Sequence, residues 1–346
     1  MPDRPRVAVI QPLPGIGDMV WHLPHIHALA EHFGTPVSLF TKPRSRADEL
    51  LATDASVADV TWVDRNPPGR RGEHDGSNGL WRLVRMLRAR RFDAAVLLHH
   101  SPSLAFATLA AGIPSRQGYG VGAQRWFLNR PPYLPRAIMR THQFQRATRF
   151  LTEAGIPMLE AEPHLAVADS TRDALRARIA DRPRPFVAIG IGSSEPPRQW
   201  GAIRYAELVD TLLSAGWPGI ALVGGPQDEE LLRWIHTTLG PLAPRAWPVL
   251  GWHLTEVTAL LADAAFLIGN NTGVMNMAAA VGIRSYGLFG ADPPFYHSPQ
   301  IVPIVSPPDG PDDGVARVTL PAVLEAIIRD RGTIAPVTLQ SRHGRA

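Results

Sequence analysis

Short apolar runs alternate with helical periodicity along this chain, and the alternation starts afresh near residue 185. That rhythm is the strongest constraint on the fold. Strands separated by helices pair in parallel, because each crossover needs a helix to carry the chain back. In the first half, residues 6–11 (RVAVIQ), 37–41 (VSLFT), 58–64 and 93–100 read as strands, and 19–33, 44–52, 79–92 and 103–112 as helices. Residues 114–136, rich in Gly, Pro and Arg, read as a long functional loop, followed by a helix over 137–154. Residues 156–184 connect the halves and include a helix at 170–181. The second half offers strands at 185–192, 219–225, 264–270 and 284–290, with helices at 201–215, 226–239, 272–282 and 319–330. This predicts two doubly wound α/β domains, 1–165 and 183–331, and a loose tail at 332–346. Ligands of such domains bind at the carboxyl ends of the strands, in the crevice between them.

Several function classes are excluded. The chain has no cysteine, so a disulfide framework, a thiolate zinc site and a cysteine nucleophile are ruled out. No run of eighteen apolar residues occurs and the N-terminus lacks a signal-peptide pattern, so a cytoplasmic location is expected. The formal charge of +4, with Arg far outnumbering Lys, suits an anionic ligand or peripheral contact with the inner face of the cytoplasmic membrane. It equally suits a solvated Arg-rich surface. Zinc-finger spacing, an aromatic RNA-binding signature and long basic runs are lacking, so no nucleic-acid partner is expected. There is no Gly-x-Gly-x-x-Gly, no Walker A loop and no Gly-x-Ser-x-Gly elbow. No Asp-x-Asp pair is available to bridge a divalent cation to a diphosphate, and His22, His25 and His27 lack metal-ligand spacing. No metal and no cofactor is expected.

Four segments hold candidate chemistry. In 12–24 (PLPGIGDMVWHLP), Gly15 and Gly17 permit a tight turn and Asp18 opens a helix. Asp18 reads either as an ordinary helix cap or as a general base for an attacking hydroxyl. In 192–200 (GSSEPPRQW), Ser193 and Ser194 offer hydroxyls and amides to phosphate oxygens, and Arg198 offers charge to a departing diphosphate. A surface turn is the plain alternative. In 269–282 (GNNTGVMNMAAAVG), Asn271, Thr272 and Gly273 precede a small-residue helix whose exposed amides form an anion site, unless Asn or Thr simply caps it. In 222–230 (LVGGPQDEE), Gly225 closes a strand and an acid such as Glu229 is placed for ribose hydroxyls, although acids also favour a first helical turn.

Taken in order, these motifs resemble glycosyltransferase family 9, the ADP-heptose:lipopolysaccharide heptosyltransferase family, over roughly 6–330. GIGDMVWHLPHIHAL is similar to its Gly-Asp-x-x-x-x-x-Pro segment, and His142 in THQFQR to its central His before a helix. GSSEPPRQW is similar to its Gly-x-x-x-x-x-Lys-x-Trp segment, LVGGPQDEE to its Gly-Gly-Pro-x-acid turn, and NTGVMNMAAAVG with GLFGADPP to its Asp-Thr-Gly-x-x-His-x-Ala-Ala and Phe-Gly-x-x-x-Pro segments. The resemblance implies a GT-B fold, two Rossmann-like domains facing each other across a central cleft, with an inverting mechanism and no metal. It carries the base role to Asp18, diphosphate contacts to Ser193, Ser194, Arg198, Thr272 and Gly273, and nucleotide contacts to Gly225, Glu229 and Asn271. Acceptor contacts are expected from Gly17 and His142, and from the 114–136 loop with Arg116, Arg125, Trp126 and Arg130, which alternatively is a lid that touches no acceptor. Three residues depart from the family pattern: Arg198 stands for Lys, Asn271 for Asp and Asn276 for His.

The expected partners are a nucleotide-diphospho-sugar donor, ADP-heptose first, and a hydroxyl of a lipopolysaccharide core or other cell-surface glycan or glycolipid. One alternative is a different nucleotide sugar used on a small molecule or protein. Another is a catalytically silent GT-B scaffold that binds a glycan or protein.

Overall fold

The computed structural model describes residues 4–193, 198–290, 293–294, 296–307 and 314–336. The chain divides into two compact units, 1–166 and 167–346.

The first unit runs β1 (Val7–Gln11), α1 (Ile16–Phe33), β2 (Val37–Thr41), α2 (Ala47–Leu50), β3 (Val57–Trp62), α3 (Gly76–Arg90), β4 (Ala94–Leu97), α4 (Pro102–Ala110), β5 (Ser115–Gly118) and α5 (Gln143–Glu153). Its sheet is parallel throughout, in the order β3-β2-β1-β4-β5. Strands β1, β2 and β4 are buried along their whole length, as expected of central parallel strands covered on both faces. On one face Ala8, Ile10, Phe40 and Leu97 pack against Leu83, Val84 and Leu87 of α3 and Leu104 of α4. Each Leu, Ile, Val or Phe among these contributes about 1.5–3 kcal/mol of burial. Helix α1 stops at Gly34, whose φ of 63° is in the left-handed region that glycine enters freely. The segment 114–136, expected to be loop, holds the edge strand β5 and a 3₁₀ helix over Gly122–Phe127. The polar sequence SRQG of β5 carries no apolar signal, and its pairing with β4 makes it a strand.

The second unit runs α6 (Asp169–Arg178), β6 (Phe186–Gly190), α7 (Ala202–Ser214), β7 (Gly219–Gly224), α8 (Glu229–Leu239), β8 (Ala246–Leu250), α9 (Leu254–Asp263), β9 (Leu267–Asn270), α10 (Gly273–Ala280), β10 (Ser285–Phe289), β11 (Ile301–Val305) and α11 (Leu320–Arg331). Its six strands are again parallel, ordered β11-β10-β9-β6-β7-β8. Beyond α11 the backbone is anchored at Ile334, whose carbonyl accepts the indole N–H of buried Trp217 at 2.6 Å.

Both sheets thus wind outward from an interior strand, β1 or β6, in the Rossmann order. In the second sheet, Gly190, Gly269 and Gly287 lie side by side on β6, β9 and β10. A Cβ on Gly269 would stand 2.7 Å from the Gly190 carbonyl oxygen, and one on Gly287 would stand 2.3 Å from the Met275 sulfur of α10. The missing side chains let α10 lie close on the sheet and bring its first turn to the carboxyl edge. Gly269→Ala is therefore expected to lower the unfolding free energy by about 1–3 kcal/mol, because the new methyl meets backbone. Urea unfolding of the variant against the parent chain checks this.

Candidate functional site

In the first unit, β1 ends at Gln11 and the chain turns through 12–15 into α1. Asp18 lies in the first turn of that helix, and its Oδ2 accepts the Gly15 N–H at 2.9 Å. A Cβ on residue 15 would approach the same oxygen to 2.8 Å, so a side chain there would make the carboxylate shift. Asp18 is half-buried at the carboxyl edge, beside the gap between β1 and β4 where successive crossovers part. Gln11 is fully buried. It accepts from the Thr41 hydroxyl at 3.2 Å, and its Nε2 reaches the Asp18 carbonyl at 3.4 Å.

His22, one turn further along α1, contacts the same carbonyl through Nδ1 at 2.7 Å. A carbonyl only accepts, so Nδ1 carries the proton and Nε2 is left as a lone pair. That nitrogen is buried and without a partner among the described residues. Burial lowers the His22 pKa from 6.5 to about 4, the bond to the Asp18 carbonyl works against this, and His142 adds to the lowering. His99, just beyond β4, is likewise lowered to about 4, first by burial and then by the charges of His100, His22, Lys42 and Arg146. These mutual effects place His22, His99, His142, Lys42 and Arg146 in one neighbourhood at this edge. Its field is positive and suits an anionic or hydroxyl-rich ligand.

The structure brings Gly17 and His142 to this neighbourhood. Gly17 is a half-buried residue of the first turn of α1. His142 caps α5, its Nδ1 accepting the Phe144 N–H at 3.3 Å, and its ring meets Trp21 edge-on at 4.6 Å. Thr148 on α5 bonds His25 of α1 at 2.9 Å, which ties the two helices together. Arg116 is placed differently. It pairs with Ala95 inside the sheet, and its guanidinium donates to the carbonyls of Phe127 and Ile113. Arg125 is exposed, with its guanidinium 4.7 Å from the centre of the Tyr133 ring. The sequence pattern assigns no role to Gln11, His22 or His99. Only the polar residue ending an apolar strand, and the double histidine after β4, hint at them.

In the second unit, the segment after β6 leaves the sheet at Ile191 and returns to it at Gln199, whose Nε2 donates to the Ile191 carbonyl at 3.0 Å. Trp200 anchors the return: it is fully buried and donates to the Val318 carbonyl at 2.7 Å. Ser193 and Arg198 stand, both half-buried, near the two ends of this closed excursion. Ser194 lies outside the described residues. Across the gap between β6 and β9, α10 begins at Gly273 with Thr272 as its cap residue. Thr272 makes no side-chain cap bond, so its hydroxyl faces no competing duty there. Asn271 is half-exposed, its amide donating to Leu288 at 3.2 Å. Asn276 is buried and its Nδ2 donates to the Thr272 carbonyl at 3.0 Å.

After β7, Glu229 is exposed at the start of α8, and Asp228 is the acid turned inward. Its Oδ2 accepts the Gly225 N–H at 2.8 Å, and burial raises its pKa. A Cβ on Gly192 would come within 2.6 Å of that oxygen, so Asp228 reaches the loop after β6. The Gly225-x-x-Asp228 spacing of a helix cap was the signal available for it. No group of His, Asp and Glu able to hold a metal occurs among the described residues, and no helix among them is long and apolar enough to cross a membrane.

The family model described as glycosyltransferase family 9 (heptosyltransferase) matches residues 80–303. Lipooligosaccharide heptosyltransferase 2 of Haemophilus influenzae is 28% identical over 235 residues, which cover 63% of this chain and 66% of that protein. Among solved structures, E. coli ADP-heptose LPS heptosyltransferase II superposes with a TM-score of 0.75 at 22% identity, over 94% of this chain and 98% of that one. E. coli heptosyltransferase WaaC with ADP-2-deoxy-2-fluoro heptose gives a TM-score of 0.70 at 17% identity, over 94% and 99%. The chain shares the GT-B fold of these structures.

The buried imidazole of His22 has a consequence for stability. The unfolded chain protonates this residue near pH 6.5 and the folded chain near 4, so the stabilisation is whole above pH 6.5 and is lost as pH falls to about 4. Replacing it (His22→Asn) is expected to remove about 3 kcal/mol from the drop in unfolding free energy between pH 7 and pH 4. Denaturant titrations of both proteins at the two pH values measure it.

Proposed function

The chain belongs to glycosyltransferase family 9, and we propose that it is an inverting, metal-independent enzyme that moves a heptose from ADP-heptose to a hydroxyl of a lipopolysaccharide core or related cell-surface glycan. The observation that carries the reading is the Asp18 carboxylate, braced by the Gly15 amide at the carboxyl edge of the first sheet. A carboxylate is the side-chain chemistry suited to accept a hydroxyl proton.

In this mechanism Asp18 takes the proton of the acceptor hydroxyl as its oxygen attacks the anomeric carbon. The new C–O bond forms on the face opposite the diphosphate, the old one breaks, and its electron pair leaves with the nucleotide. The configuration at that carbon is inverted. Negative charge gathers on the departing diphosphate. The amides at the start of α10, the hydroxyls of Thr272 and Ser193, and the Arg198 guanidinium are suited to receive it. Ser194 and Gly273 belong to the same set. Gly225, Glu229 and Asn271 are assigned to the nucleotide, with Asp228 shaping the turn that presents them. Gly17, His142 and the positive neighbourhood of Lys42 and Arg146 are assigned to the acceptor, with Arg125 at its outer part. Arg116 acts through the shape of the 114–136 segment. A glycolipid acceptor would bring the protein from the cytoplasm to the inner face of the membrane.

A second reading has one observation in its favour. Asn271 and Asn276 replace the usual Asp and His beside the proposed phosphates, which fits a donor other than ADP-heptose. Transfer from UDP- or GDP-sugars but not from ADP-heptose would establish that reading. Glycan binding with no transfer from any donor would establish a silent scaffold.

For the principal reading, Asp18→Asn is expected to keep the fold and donor affinity and to lower kcat about 10²–10⁴-fold. Steady-state assays with ADP-heptose and a heptose-lacking core acceptor measure this. A variant as fast as the parent would remove Asp18 from the chemistry.

A further inference from the structure

Residues 76–152 contain twelve arginines, no lysine and one acid, Asp93. This stretch alone carries an excess of eleven positive charges in a chain whose net charge is +4, so the rest of the molecule is acidic on balance. The folded structure neutralises part of the excess, pairing Arg90 with Asp59 and Arg149 with Glu153, and leaves Arg82, Arg85, Arg88, Arg125 and Arg130 exposed. Asp93 is bonded to the Arg6 amide at 2.8 Å at the amino end of β4. Asp75, at the head of the stretch, is likewise occupied by backbone, accepting the amides of Asn66 and Gly72.

Within this stretch, large apolar side chains stand in solvent. Trp126 is 81% exposed, Trp81 51% and Leu109 40%. Trp81 of α3 meets Phe106 of α4 edge-on at 6.2 Å, and Phe106 meets Phe127 at 5.6 Å, so an aromatic strip runs from α3 across α4 to the 3₁₀ helix that holds Trp126. Arginines line it. Arg85 and Arg88 follow Trp81 at helical spacing on the outer face of α3, with Arg82 beside them, and Arg125 and Arg130 flank Trp126. All five are exposed. A soluble surface gains nothing from tryptophan held in water. Indole rings do gain at the boundary between lipid headgroups and acyl chains, and guanidinium groups gain beside anionic headgroups.

We propose that the outer face of α3, α4 and the 3₁₀ helix over Gly122–Phe127 is a docking surface for an anionic phospholipid bilayer, with Trp81 and Trp126 inserting at headgroup depth and Arg82, Arg85, Arg88 and Arg130 pairing with lipid phosphates. The inference deepens the transfer reading and rests on it for its purpose: a glycolipid acceptor is presented by a membrane, and the surface brings the enzyme to it. The arginines are attracted over a Debye length and the aromatics hold only on contact. Binding therefore combines a salt-sensitive approach with a shallow apolar grip.

The test uses the whole chain, without donor or acceptor, in flotation with vesicles of phosphatidylcholine alone or mixed with phosphatidylglycerol. The expected result is at least about tenfold tighter binding to the mixed vesicles, weakened by salt, with a blue shift of tryptophan emission and quenching by brominated acyl chains. Trp126→Ser alone, a change at an exposed side chain, is expected to remove most of the quenching. The combined change Trp81→Ser, Arg82→Glu, Arg85→Glu is expected to abolish flotation, lower transfer to acceptor in vesicles and leave transfer to a delipidated acceptor sugar unchanged. Equal binding to both vesicle types, no binding, or retention of binding by the combined variant overturns the proposal. So does binding to DNA or heparin with the same affinity and no emission shift, which would mark a general polyanion surface. The two readings fail separately. Vesicle binding without sugar transfer leaves this surface standing and defeats the transfer reading, and transfer to delipidated acceptor by a chain that ignores vesicles does the reverse.

Discussion

A parallel strand cannot be followed directly by its neighbour. The chain must leave the sheet, cross a face and return to the starting edge. Every other feature of this protein depends on that constraint. It collects the turns that follow strands, and the helix starts after them, at one edge of each sheet. Where consecutive crossovers part to opposite faces, between β1 and β4 and between β6 and β9, that edge is left uncovered. Asp18 stands at the first opening, and Ser193 and the cap residue Thr272 stand at the second. The chemistry assigned to them uses groups that the topology leaves available.

The interior strands were legible in the sequence because burial on both faces writes them as unbroken apolar runs, as in VAVIQ, VSLFT and FVAIG. The strands missed are mostly at or near sheet edges. β5 is polar, while β8 and β11 carry Pro248 and Pro303, residues that an edge tolerates and that a search for apolar runs discards. Helix α9 went unread along with β8, in a region where no flanking strand marked its start. The site divides in the same way. The positions of Asp18 and Thr272 at helix starts are legible because a turn, a cap and a helix start are local patterns. Spacing names the acidic cluster 228–230, and only packing decides that Asp228 turns inward while Glu229 stays exposed. Gln11, His22 and His99 owe their positions to contacts between distant segments.

Burial does different work in the two units. In the first it keeps histidines neutral, so the carbonyl of Asp18 is met by an imidazole N–H without a full charge beside the carboxylate. In the second, glycines at 190, 269 and 287 remove side chains altogether, and a helix comes down onto the strands. One unit tunes the electronic character of its edge and the other tunes its geometry.

The bond from Asn276 to the Thr272 carbonyl has one more consequence. A carboxamide holds no dissociable proton across the range in which an imidazole would change from neutral to cationic. An anion arriving at the start of α10 therefore meets the same field from this residue in mild acid as at neutrality. An imidazole there would make the attraction vary with acidity, and the amide makes it constant.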